Sequence, residues 1–225
     1  MINLDLFIFF ILHWFIFGYY DWLLLSKQKL NPNYSPQTLV GKMGKTMCVN
    51  FYAGAGARKS TIASILHGFL KLHGITSEYT AEYAKDLAWE GRLDLKINDM
   101  KIFGEQHNRQ FRLNGKVDCI VSDSPLLLSS VYRSSDPLMD ALVMREYNKY
   151  DNINFYMKRP TKYIQHGRKE NRDEATKIDT KVLDLLNDRA IPFTTVEGTA
   201  EGANIVLSTI LERLNTKQLY KVQRI

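Results

Sequence analysis

The residues best equipped for chemistry lie in one short stretch, Gly54-Ala55-Gly56-Ala57-Arg58-Lys59-Ser60-Thr61. It approaches the pattern G-x-x-x-x-G-K-[ST], in which consecutive backbone N–H groups wrap the phosphates of a nucleotide. In that pattern Lys59 reaches the β- and γ-phosphates, the Ser60 hydroxyl ligates Mg²⁺, and the helix that follows adds partial positive charge at its N-terminus. The two pattern glycines are replaced here by Ala53 and Arg58. Ala53 is a small change. Arg58 is a larger one, because a side chain there crowds the ligand and a positive φ strains any residue but glycine. Two outcomes stay open at this stage: impaired catalysis, or a guanidinium that contacts phosphate.

Other candidates take positions that such a loop requires. Asp123 follows the apolar run Val117–Val121, which places a carboxylate beside the loop where it can hold Mg²⁺ directly or through water. The alternative is an aspartate that caps the turn into Pro125. Glu82 closes the run Ser77–Tyr83 and is the candidate general base for an attacking hydroxyl, unless it is simply solvated. Between Lys158 and Arg172, six cations (Lys158, Arg159, Lys162, Arg168, Lys169 and Arg172) accompany one acid, Glu170. We read residues 159–173 as a lid, with Arg168 and Arg172 closing on the γ-phosphate, against the plainer reading of a solvated loop. Phe103, Gln106 and Arg109 share a helix where an acceptor base could bind, although an aromatic at helical spacing also reads as core.

These residues need a scaffold of alternating elements. Met47–Ala53, Ser77–Tyr83, Val117–Val121, Ile153–Met157 and Phe193–Val196 read as strands. Helices are expected at Ser60–His73, Ile97–Leu113, Pro137–Tyr150, Glu174–Arg189 and Ala200–Leu214. The alternation predicts an α/β fold: a five-stranded parallel sheet with helices on both faces.

The chain has 225 residues, 45% hydrophobic and 24% charged, with a formal charge of +6 that suits a polyanionic partner such as nucleotide or DNA. Cys48 and Cys119 fall in separate apolar runs without framework spacing, which indicates a reducing cytoplasm rather than a disulfide scaffold. Residues 1–42 do not match the rest. Leu6–Tyr20 is an aromatic-rich apolar run of fifteen residues, short for a membrane span and without signal-peptide flanks. A polar linker follows. We expect translation from Met43, a P-loop domain over residues 43–215 and a basic tail at 216–225. A membrane anchor or a partner-binding helix are the alternatives for the extension.

Several ordered segments together resemble a known group: V-N-F-Y-A-G-A-G-A-x-K-S-T (Val49–Thr61), T-A-E-Y-A-K-D-L (Thr80–Leu87), I-F-G-E-Q-H (Ile102–His107), S-D-S-P-L-L-L-S (Ser122–Ser129) and H-G-R-x-x-N-R-x-E-A (His166–Ala175). They are similar to bacteriophage thymidylate-kinase-like P-loop kinases, often labelled simply as ATPases. The resemblance spans about Met43 to Asn215. It implies a P-loop NTPase fold of the nucleoside-monophosphate-kinase type, ATP as donor, Mg²⁺, and a hydroxyl or phosphate acceptor. One branch, the 5-hydroxymethyluracil DNA kinases, phosphorylates a base hydroxymethyl group in phage DNA on the way to hypermodified thymidine. A soluble nucleoside or deoxynucleoside-monophosphate kinase is the alternative. A nucleotide-binding protein disabled by Arg58 is the non-enzymatic one. A phage-encoded protein of this group would act in the host cytoplasm.

Overall fold

The computed structural model describes residues 46–92, 99–132, 136–163 and 170–222, with side chains to residue 215. The expected extension over residues 1–42 and its apolar run lie outside them, as does Arg168. The described residues up to Leu214 form one compact unit.

Five strands make a single parallel sheet in the order β2-β3-β1-β4-β5. They are β1 (Met47–Tyr52), β2 (Ser77–Thr80), β3 (Cys119–Ser122), β4 (Asp151–Lys158) and β5 (Thr194–Glu197). The expected fold class is therefore observed. Strand β1 is central, and every one of its residues is buried. That burial explains why MCVNFY reads as a continuous apolar run rather than an alternation.

Seven helices occur among the described residues: α1 (Lys59–Leu72), α2 (Tyr83–Trp89), α3 (Asp99–Phe111), α4 (Leu128–Tyr132), α5 (Pro137–Tyr147), α6 (Arg172–Asp188) and α7 (Ala200–Val222). Cys48 and Tyr52 of β1 join Phe103 of α3, Val143 and Tyr147 of α5, and Val182 and Leu186 of α6 in one core cluster. Phe51 has the opposite strand parity and stacks on its register partner Phe155 at 5.8 Å. Helix α1 touches the sheet through the buried stripe Ile62, Ala63, Leu66 and Leu70. Cys48 and Cys119 are both buried, on neighbouring strands. No helix among the described residues is long and apolar enough to cross a membrane.

The boundaries depart from expectation where pairing overrides local pattern. Strand β2 stops at Thr80 because its only partner, β3, stops at Ser122 opposite it. The chain then turns through Ala81 and Glu82 into α2, which the apolar pattern did not reveal. Short α4 was likewise hidden in the leucine run after Asp123. Helix α6 starts at Arg172 rather than Glu174, since Asn171 and Glu174 form a reciprocal capping box: the Asn171 side chain accepts from Glu174 N–H at 3.0 Å, and the Glu174 carboxylate accepts from Asn171 N–H at 2.8 Å. Replacing Asn171 by Ala should lower stability by about 1 kcal/mol, read as a shifted urea midpoint with an unchanged slope.

Candidate active site

The loop joining β1 to α1 leaves the carboxyl edge of the sheet at Ala53. Arg58 adopts the left-handed conformation (φ 65°, ψ 22°), and Gly56 has φ 81°. The backbone thus keeps the course that glycine would favour, and Arg58 carries the strain, about 1–2 kcal/mol for a residue with a side chain. Its guanidinium donates through Nη1 to the carbonyl of Gly198, in the turn between β5 and α7, at 2.8 Å. Lys59 opens α1 and folds back over the loop, donating from Nζ to the carbonyls of Ala53 (2.8 Å) and Gly54 (3.0 Å). Ser60 and Thr61 complete the first turn of α1, while Ala57 is fully buried beneath the loop.

A second set of side chains braces the loop from outside. Arg159, just past β4, pairs with Asp179 of α6 through Nε at 2.6 Å and Nη2 at 3.0 Å. Both side chains are about nine-tenths buried. Each also grips the loop: Arg159 Nη1 donates to the carbonyl of Ala55 at 2.6 Å, and Asp179 Oδ1 accepts from the N–H of Gly54 at 2.7 Å. A Cβ at Gly54 would come within 2.5 Å of the Ala175 carbonyl, so only glycine allows α6 so close. Tyr163 covers the next bend. Its ring would lie 2.4 Å from a Cβ on Gly56, its hydroxyl donates to the Glu170 carbonyl at 2.6 Å, and Arg159 stacks over it.

The acids stand on the β3–β2 side of the loop. Asp123 directly follows β3 and is 4% exposed. Its Oδ2 accepts from the Tyr79 hydroxyl at 2.6 Å, while Oδ1 is buried without a hydrogen-bond partner. Burial raises the Asp123 carboxyl above its ordinary range, opposed by the Tyr79 hydrogen bond, by the charges of Lys59 and Lys85, and by the Glu82 backbone N–H. Burial also raises Tyr79, and the neighbouring Asp123 adds to it, so the phenol stays a donor. Glu82 occupies the N-cap position of α2 with extended backbone (φ −67°, ψ 121°) rather than a strand end. Burial raises its carboxyl as well; Lys59 opposes the shift, and Asp123 and Glu170 reinforce it. Lys59, Glu82 and Asp123 thus share one electrostatic neighbourhood. The lone buried Oδ1 of Asp123 suits a hard cation such as Mg²⁺.

The helix expected to hold the acceptor makes these contacts within the protein. Phe103 is buried at 6% and stacks on His107 at 5.8 Å, so its ring is taken up by the core instead of a base. Gln106 accepts from Tyr83 N–H at 3.0 Å and donates to the Ala81 carbonyl at 3.3 Å. Arg109 donates to the same carbonyl at 3.1 Å, pairs with Asp86 and lies over the Tyr83 ring. Gln106 and Arg109 therefore hold both sides of Glu82 in place. The helical spacing was correct, but which face looked inward could not be read from it. Of the lid cations, Arg159 is locked in the brace, and Arg172 is exposed at the first position of α6.

Sequence reasoning missed Tyr79, Tyr163 and Asp179. Asp179 did carry a signal: it falls in the inward stripe Ala175, Asp179, Val182, Leu186, where an acid must have a partner. Tyr79 and Tyr163 carried none, because their contacts join segments far apart in sequence.

A glycine-bearing loop between the central strand and a helix, a lysine on that loop, and an acid ending the adjacent strand define a P-loop NTPase domain. The chain belongs to the AAA domain family, whose pattern matches residues 48–202. No curated protein matches it. Because Asp179 is the buried partner of Arg159, Asp179→Ala should cost about 3–5 kcal/mol in stability. Asp179→Asn, which keeps an acceptor for Gly54 N–H, should cost less, with both read from chemical denaturation.

Proposed function

We propose that this protein is an ATP-dependent kinase that transfers the γ-phosphate to a nucleoside-type hydroxyl, with 5-hydroxymethyluracil in DNA as the acceptor of choice. The observation that carries the reading is the placement of Glu82: Gln106 and Arg109 pin the turn on either side of it, next to Asp123 and Lys59, and its carboxyl is shifted upward there. An alcohol must lose its proton during attack, whereas a nucleotide phosphate is already ionised and needs no such base. Glu82 therefore favours an alcohol acceptor over a monophosphate.

In this reading the backbone N–H groups of residues 54–61 cradle the phosphates and Lys59 leaves the Ala53 and Gly54 carbonyls to meet the β- and γ-oxygens. Ser60 and the unpartnered Oδ1 of Asp123 would hold Mg²⁺, which supplies neutralisation of charge on the phosphates. The described residues include no group of three or more His, Cys, Asp or Glu side chains placed to bind a metal. The ion would thus take its other ligands from phosphate and water, as Mg²⁺ commonly does. The acceptor oxygen bonds to the γ-phosphorus as the bond from that phosphorus to the β-bridging oxygen breaks. ADP leaves with the electron pair, and the acceptor proton passes to Glu82. Arg168 and Arg172 would close over the transferring group from the lid. In this reading the Tyr79 hydroxyl, donating to Oδ2, leaves Oδ1 of Asp123 for the ion.

The acceptor is tested by incubating the protein with labelled ATP and either hydroxymethyluracil-containing DNA or free nucleosides and nucleotides. Label in DNA is expected; label confined to free nucleotides makes the protein a soluble nucleotide kinase instead. The pH dependence follows from the sign of the Glu82 shift. The base must be ionised, so kcat should rise with pH through an apparent pKa above the ordinary glutamate value of 4.5. Glu82→Gln should remove that limb and lower kcat by about 10²–10⁴-fold, with a smaller change in ATP affinity.

A further inference from the structure

Arg58 replaces a pattern glycine yet keeps the left-handed backbone that glycine would supply, at φ 65°. Its side chain is built into the fold. Nη1 donates to the Gly198 carbonyl at 2.8 Å, and the aliphatic stem lies on the Gly198 backbone. A Cβ at Gly198 would sit 2.8 Å from both Cβ and Cδ of Arg58. Gly198 thus has to be glycine for Arg58 to lie where it does, although the two are 140 positions apart. The residue as a whole remains exposed. A guanidinium has five N–H donors in one plane, and Gly198 occupies one nitrogen.

The sheet order says on which side of the loop Arg58 lies. Asp123 and Glu82 follow β3 and β2, on one side of β1; Gly198 follows β5, on the other. All five strands are parallel, so these turns share one edge of the sheet with the phosphate loop. In-line phosphoryl transfer keeps the acceptor and the leaving diphosphate on opposite sides of the transferred phosphorus. With the acceptor beside Glu82, the nucleoside of the donor extends toward the β4–β5 side, where Arg58 rests on Gly198.

We propose that Arg58 is a donor-nucleoside-binding residue: anchored by the Gly198 carbonyl, its guanidinium plane stacks on the base of the bound purine nucleoside triphosphate. This rests on the kinase reading for the side of the loop that holds the acceptor. Planar guanidinium groups stack on aromatic rings, and a lysine does so less well. The strain at Arg58 is thereby joined to a gain in donor affinity that glycine could not supply.

Equilibrium binding of Mg-ATP and of Mg-tripolyphosphate separates the base from the phosphates, without requiring turnover. Arg58→Gly and Arg58→Lys should each weaken ATP binding by about tenfold, the range expected for a stacked cation–aromatic contact, and leave tripolyphosphate within about twofold. Gly198→Ala, which displaces Arg58 while keeping it in the chain, should reproduce the ATP loss. Thermal melts of the three variants establish that each is folded. Equal weakening of ATP and tripolyphosphate would make Arg58 a phosphate ligand and overturn the proposal. Unchanged or tighter ATP binding in Arg58→Gly would overturn it too, while leaving the kinase reading intact. Wild-type protein that binds no ATP would sink both.

Discussion

The loop on which this protein depends has few means of holding its own shape, so a buried ion pair holds it from outside. Arg159 and Asp179 meet within hydrogen-bonding distance, and each spends a further contact on the loop backbone, at Ala55 and Gly54. Two charges taken out of water are favourable only when their remaining hydrogen-bonding capacity is met. Here the loop carbonyl and N–H help to meet it. The brace also links the end of β4, α6 and the β1–α1 loop. A phosphate-binding loop works by fixed N–H directions, so rigidity of this kind is a condition of its chemistry.

Around that fixed loop the charges are arranged in opposition. Glu82 and Asp123 are both raised by burial, and Lys59 and Lys85 draw both back toward ionisation. The Lys59 ammonium donates to the Ala53 and Gly54 carbonyls, whose oxygens take the place that phosphate oxygens would have. Gln106 and Arg109 secure the Ala81–Tyr83 turn, which makes the position of Glu82 a product of packing between α3 and the β2–α2 connection. Tyr79 performs a similar service for Asp123. The chemistry-bearing groups thus depend on a set of neutral and cationic side chains whose own part is geometric.

Much of the site was legible from residue types. Lys59, Ser60 and Asp123 stand where the loop pattern and the strand rhythm put them, because a parallel sheet brings the carboxyl ends of β1 and β3 together. Glu82 was expected at the end of a strand; the strand stops at Thr80, and Glu82 caps the helix that follows. Phe103 illustrates the limit: a helical stripe says that one face is apolar, and packing then chose Phe103 for the core and left its neighbours to the Glu82 turn. Arg58 illustrates it more sharply. Its identity flagged a damaged signature, yet its meaning depends on Gly198, a residue the local pattern could not connect to it.

By itself, then, the sequence determined the α/β alternation, the central buried strand, the phosphate loop and the acid beside it. These follow from local periodicity and from short motifs whose residues act through their own backbone. Only the tertiary structure decided that Asp179 and Arg159 brace the loop, that Tyr79 orients Asp123, and that Arg58 leans on Gly198. Each of those is a contact between segments far apart in the chain, and its energy exists only once the sheet order has brought them within hydrogen-bonding distance.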